Sequence, residues 1–147
     1  MPDKSRRRTA LANPHRAQVR ATPAPQSIRY RVGLTAGLKP GQSMKFLMPI
    51  RGADEECFVI NYHGGFHAYV NQCRHVPMAM DWVDNQFFTE RGRYLMCQTH
   101  NAYYQPETGE CISGPRSACG KFLYRIELNV EDGVIYANPA DYEFDDD

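Results

Sequence analysis

The chain has 147 residues with 17 Lys and Arg against 17 Asp and Glu, 42% hydrophobic residues, 12% aromatics and five cysteines. That is one domain's worth of sequence, and no apolar run approaches the roughly 18 residues needed to cross a bilayer as a helix. An odd cysteine count argues against a disulfide framework and makes metal ligation the better default.

The zero net charge hides an asymmetry. Residues 1–31 carry eight Lys and Arg against one acid, Asp3, a net +7, and the rest of the chain carries −7. The start holds Pro14, Pro23 and Pro25 and no sustained apolar period, so residues 1–28 read as a basic, disordered leader. A basic leader could meet an acidic partner or nucleic acid. A solvated tail accounts for it with less, and no nucleic-acid partner is expected. The Arg6-Arg7-Arg8 run is not followed by an apolar segment of the kind an export signal needs, which points to a cytoplasmic protein.

From Tyr30 the texture becomes that of β structure. Tyr30–Leu34 alternates, and Ser43–Ile50 follows a Lys39-Pro40-Gly41 turn. Glu56–Tyr62 and Phe66–Asn71 are β-rich runs joined through His63-Gly64-Gly65, a hairpin signal. Pro77–Asn85 could form a short helix. Arg93–Met96 is a short strand, and Tyr103-Tyr104 and Glu110–Ile112 flank the Pro106–Gly109 turn. Phe122–Val130 and Val134–Ala137 are two strands joined at Asp132-Gly133, another strong hairpin turn. The chain ends in an acidic stretch, residues 140–147. The domain proper is therefore expected over residues 29–139.

Two short boxes carry the chemistry. Cys73 and His75 are separated by one residue, Cys97 and His100 by two, and 21 residues lie between the boxes. Two thiolates and two imidazoles can bind zinc tetrahedrally. Zinc fingers, however, usually pair like with like on each knuckle, and here each loop brings one ligand of each kind. A [2Fe-2S] cluster gives that mixture a reason, because two loops clasping it can each supply one ligand to each iron.

With Cys73-Arg74-His75, Cys97-Gln98-Thr99-His100 and the later Gly109–Gly114-Pro115 stretch, residues 29–138 resemble the Rieske iron–sulfur family. The resemblance implies an all-β fold: stacked antiparallel sheets, with two ligand loops forming a small cluster-binding subdomain. It implies that Cys73 and Cys97 hold an inner iron, His75 and His100 hold an outer one, and Gly114 and Pro115 belong to a loop covering the cluster. It further implies a ferredoxin-like one-electron carrier whose partners are a reductase donor and an oxygenase or other redox acceptor. A redox-sensing or regulatory subunit with the same cluster is the alternative, and the oligomeric state is not specified. An oxygenase catalytic subunit would need a further iron-binding domain.

The departures from the family pattern matter too. The gap between boxes is several residues longer than is common, which predicts an enlarged loop around Trp82, Phe87 and Phe88. These residues are either a docking patch or loop packing. The bridging cysteines of some members are replaced by Met78 and Thr99. The glycine after the second histidine is Asn101, the residue that best tolerates a left-handed backbone. Of two hydroxyl donors to the cluster sulfurs, one position is Ala102 and the other retains Tyr104. Fewer donors imply a low to intermediate potential. Cys57 reads as a buried strand residue, Cys111 and Cys119 as thiols beside the third loop, and His63 and His67 as surface residues of a hairpin tip.

Overall fold

The structure is a computed structural model that describes residues 20–23, 29–50, 52–74, 78–89, 91–98, 101–116, 118, 120–138 and 140–143. Its strands are β1 (Arg20–Pro23), β2 (Tyr30–Leu34), β3 (Ser43–Ile50), β4 (Ala53–Tyr62), β5 (Gly65–Val70) and β6 (Leu95–Cys97). They continue with β7 (Ala102–Tyr104), β8 (Cys111–Ser113), β9 (Arg125–Ile126), β10 (Leu128–Glu131), β11 (Val134–Ala137) and β12 (Ala140–Glu143). A 3-10 turn at Thr35–Gly37 is the helical element among the described residues. The all-β expectation holds. Among the described residues all ladders are antiparallel, in four sheets ordered β1-β12, β10-β11-β2, β3-β4-β5-β9 and β6-β7-β8.

Both expected hairpins form, and their turn chemistry explains why. His63 (φ 53°) and Gly64 (φ 90°) make the two-residue turn between β4 and β5, and Asp132 (φ 51°) and Gly133 (φ 75°) the one between β10 and β11. Left-handed dihedrals at both central residues match the natural twist of paired strands. Pro49 sits within β3, but β3 is a sheet edge, where a missing N–H is tolerated.

The run Cys57-Phe58-Val59-Ile60 is buried throughout, since β4 is covered on both faces. Successive strand side chains point to opposite faces. Cys57 and Val59, with Ala68 and Val70 of β5, therefore join a core containing Met48, Ile50, Tyr124, Ile126, Ile135 and Ala137. Phe58, Ile60 and Tyr69 face the other way. They join a second core with Met80, Phe87, Leu95, Tyr104, Leu123 and the three cysteines Cys73, Cys97 and Cys111. The β4–β5 ladder is thus a wall between a base core and a site core.

Three features depart from the expected elements. The single strand expected over Phe122–Val130 is two: β9 pairs with β5, and β10 pairs with β11 in another sheet. Residues 78–85 do not form a helix. The amides of Met80 and Asn85 donate to the side chains of Asn71 and Asp81, so they do not build a helical ladder. Finally, β1 and β12, each within a segment that the sequence leaves outside the domain, pair over Arg20–Pro23 and Ala140–Glu143.

Truncating the wall on its site side should be costly and truncating its edge should not. Phe58→Ala should lower unfolding stability by about 3–5 kcal/mol. Leu47→Ala, at a residue 62% exposed on β3, should change it by less than about 0.5 kcal/mol. Urea denaturation of the two variants checks the difference.

Candidate metal centre

The two boxes emerge from the site-side elements. Cys73 follows the end of β5, and its N–H donates to the Met78 carbonyl at 2.9 Å. Cys97 ends β6, and Asn101, just before β7, donates its N–H to the Cys97 carbonyl at 2.8 Å. Asn101 adopts φ 55°, the left-handed conformation expected of it, and Cys97 faces Ala102 across the hairpin. The Cys73 and Cys97 side chains are 2% and 0% exposed and share one apolar cluster. His75 and His100 lie outside the described residues.

Tyr104 lies fully buried on β7, with its hydroxyl 3.5 Å from the Cys73 Sγ and 3.0 Å from the main-chain N of Arg74. The Arg74 N–H donates into the hydroxyl oxygen; across the sulfur contact either group can donate, and with Cys73 held as a thiolate the Tyr104 hydroxyl would be the donor. Burial, and then the contact with Cys73, raise the Tyr104 phenol well above its usual value, so it remains a donor. Ala102, also buried, offers no second hydroxyl.

The third loop explains its own glycine. Gly114 has φ 138°, and a Cβ there would come within 2.8 Å of the Ala102 Cα and 3.1 Å of its Cβ. A glycine beside a small residue lets this loop close against the β6–β7 hairpin. Pro115 follows half-exposed, and its carbonyl accepts from the Ala118 N–H at 3.0 Å. Gly109 is constrained in the same way, at φ 80° with the Tyr69 ring 2.8 Å from where its Cβ would be. The Tyr69 hydroxyl donates to the Pro106 carbonyl at 2.7 Å, which fixes that turn to the wall.

The enlarged loop between the boxes is well anchored. Lys45 Nζ lies 2.9 Å from Asp81, 3.3 Å from Glu56 and 2.5 Å from Asp84. Asn71 Nδ2 donates to Glu56 and Asp81 at 2.7 and 2.8 Å. Burial alone would raise the Asp81 carboxyl, but hydrogen bonds from Asn71, the Asn85 amide and Lys45 outweigh it and hold the group below the usual carboxylate range. The hydrogen bond to Asp84 leads in raising the Lys45 ammonium, against burial and with help from Asp81 and Glu56. The loop also reaches the second box: the Gln98 N–H donates to the Met80 carbonyl, and its side-chain amide to the Gln86 carbonyl, both at 3.3 Å. Its three aromatics divide. Phe87 is buried and stacks on Phe58 with ring centroids 3.9 Å apart, Phe88 is half-buried beside Tyr62, and Trp82 is 77% exposed.

The remaining candidates separate from the site. Cys57 is buried in the base core, and desolvation, followed by the nearby Glu55 and Glu56, pushes its thiol up to about 12, which leaves it inert. Cys111 belongs to the site core, while Cys119 is outside the described residues. His63 is exposed at the hairpin tip. His67 is half-buried 3.5 Å from Arg125, and burial, then that guanidinium, depress its basicity. Among the described residues no group of three or more His, Cys, Asp or Glu forms a metal cluster. Arg74 was missed by sequence reading. It is buried, its guanidinium donates to the Phe122 carbonyl at 2.6 Å, and it lies 4.5 Å from the centre of the Tyr124 ring.

Three cysteines, Cys73, Cys97 and Cys111, share this buried cluster; the two that belong to the Cys–His boxes, one of them 3.5 Å from a buried hydroxyl, suit an iron–sulfur centre held from one side by sulfur. The chain belongs to the Rieske [2Fe-2S] domain family, whose model matches residues 28–132. Domains of this family bind a [2Fe-2S] cluster. No curated sequence is similar enough to count as a match.

Solved structures share the fold. The ferredoxin of carbazole 1,9a-dioxygenase from Nocardioides aromaticivorans IC177 is 20% identical, with a TM-score of 0.56 over 76% of this chain and 97% of its own. The terminal oxygenase of carbazole 1,9a-dioxygenase from Novosphingobium sp. KA1 is 18% identical, with a TM-score of 0.64 over 99% of this chain and 38% of its own. A chain from a complex of reduced oxygenase and oxidized ferredoxin of carbazole 1,9a-dioxygenase is 19% identical, with a TM-score of 0.58 over 80% of this chain and 98% of its own. No helix among the described residues is long and apolar enough to cross a membrane.

Two predictions follow from the geometry. Gly114→Ala should destabilise the apoprotein by about 1–3 kcal/mol, because the new Cβ meets Ala102 backbone in a conformation that L residues rarely adopt; thermal unfolding reads the loss. Because the Asp81 carboxyl is depressed in the fold, its contribution to stability is intact above the unfolded value of about 3.9 and is lost as pH falls further towards the folded value. Asp81→Asn should flatten that acid limb in urea titrations between about pH 5 and pH 2.

Proposed function

We propose that this chain is a one-electron carrier, with Cys73 and Cys97 as the ligands of the inner iron and His75 and His100 as those of the outer one. The observation that carries the reading is the burial of Cys73 and Cys97, the cysteines of the two Cys–His boxes, in one core, with the Tyr104 hydroxyl 3.5 Å from the Cys73 sulfur. When bound, the cluster supplies reversible one-electron chemistry at a potential raised by imidazole ligation.

The chain's own residues exclude water, position the ligands and set the electrostatics. Phe58, Phe87, Leu95 and Leu123 wall off the cysteines. Gly114 packs its loop against Ala102 of the β6–β7 hairpin, and Pro115 continues the same covering loop. Tyr104 supplies one hydroxyl donor, while the buried methyl of Ala102 supplies none. With one donor in place of two, the reduced state is stabilised less, and the midpoint belongs near the low end of the Rieske range, about −150 mV.

The partners in this proposal are redox proteins, a reductase as donor and an oxygenase or other acceptor. The ferredoxin and oxygenase neighbours of carbazole 1,9a-dioxygenase, similar in fold, support it. A cytoplasmic site of action and a functional domain spanning residues 29–139 belong to the same proposal.

Cys73→Ser and Cys97→Ser should each abolish the Rieske-type EPR signal and the bound iron, whereas Cys57→Ser should retain both. Retention of a wild-type signal in Cys73→Ser would refute the ligand assignment. Deleting residues 1–19 should leave the midpoint and electron transfer unchanged; loss of partner binding on deletion would favour a regulatory role for the basic leader.

A further inference from the structure

Arg74 stands between two assigned ligands, yet its side chain turns inward. Only 5% of the residue is exposed. A buried guanidinium must lose its hydration, and it persists where specific partners replace it. Two partners come from the segment leading into β9: the Phe122 carbonyl, at 2.6 Å from Nη1, and the Tyr124 ring, with the guanidinium carbon 4.5 Å from its centre. These two contacts fix the side chain at its planar fork and across its face, a combination that lysine does not reproduce.

The same residue's main chain contributes separately. Its N–H donates to the Tyr104 hydroxyl at 3.0 Å, and that hydroxyl lies 3.5 Å from the Cys73 Sγ. Side chain and main chain together link segment 122–124, the first ligand loop, β7 and the cysteine sulfur.

We propose that Arg74 is a positioning residue for the cluster's hydrogen bond: its anchored guanidinium holds its own amide on Tyr104, and this keeps the hydroxyl proton of Tyr104 aimed at the Cys73 sulfur. The inference rests on the assignment of Cys73 as a cluster ligand. A hydrogen bond to a ligating sulfur stabilises the reduced, more negative centre, so misaligning it moves the midpoint negative. Arg74 acts on the potential through Tyr104.

The test is a double-mutant cycle on the full chain with cluster, read as midpoint potential in an EPR-monitored titration. Arg74→Met and Tyr104→Phe should each shift the midpoint negative, and the double variant should lie no lower than Tyr104→Phe alone. Arg74→Lys, which keeps the charge without the two-point hold, should shift in the same direction as Arg74→Met. If Arg74→Met does not load the cluster, the cycle is run with Arg74→Lys.

A midpoint unchanged in the Arg74 variants overturns the inference. So do additive shifts in the double variant, which would mean that the guanidinium charge acts on its own. Failure of the wild-type chain to give a Rieske signal would overturn the ligand assignment instead, so the two failures are distinguishable.

Discussion

Everything in this molecule depends on the two-faced ladder of β4 and β5. Its alternating side chains serve two cores at once: Cys57, Val59, Ala68 and Val70 on the base side, and Phe58, Ile60 and Tyr69 on the site side. A one-residue slip of either strand would exchange the two sets. The His63-Gly64 turn, whose dihedrals suit a tight two-residue connection, pins the register. Cys73 and Cys97 therefore lie in the core on the opposite face of the wall from the base core.

From that wall the site is assembled by short reaches. Phe58 stacks on Phe87 and brings the enlarged loop in, while Tyr69 holds the Pro106 turn. The loop in turn meets both cysteine segments, through Met78 to Cys73 and through Met80 to Gln98. Lys45, with three carboxylates around it, keeps the loop on β3 and β4 and turns the Asp81 charge inward. Trp82 remains outward on a segment whose other aromatics are committed to packing.

Much of this was legible in the sequence because local chemistry decides it. The two hairpins were legible from Gly64-Gly65 and Asp132-Gly133, although the first turns one residue earlier, at His63-Gly64; the left-handed Asn101 follows from its residue type, and the burial of Cys57 from its place mid-strand. The mixed spacing of Cys73, His75, Cys97 and His100 identified the family without any structure. Other features depend on long-range geometry. The break in Phe122–Val130 arises because two sheets compete for one run, and nothing local marks Glu127 as the crossing point. The β1–β12 ladder joins segments that are Pro-bearing or acidic, so composition conceals it. Arg74 looks like a surface residue of a ligand loop until its carbonyl and ring partners, about 50 residues away in sequence, are in place.

The central claim is that this chain binds a [2Fe-2S] cluster through two cysteines and two histidines. Pulsed EPR of the reduced, anaerobically purified protein tests it most directly, because nitrogen bonded to the outer iron couples strongly to the unpaired electron. The account predicts two strongly coupled nitrogens, with one lost in each of His75→Cys and His100→Cys, and iron and acid-labile sulfide in equal amounts. A reduced cluster with no strong nitrogen coupling, or a colourless protein with stoichiometric zinc, would contradict it.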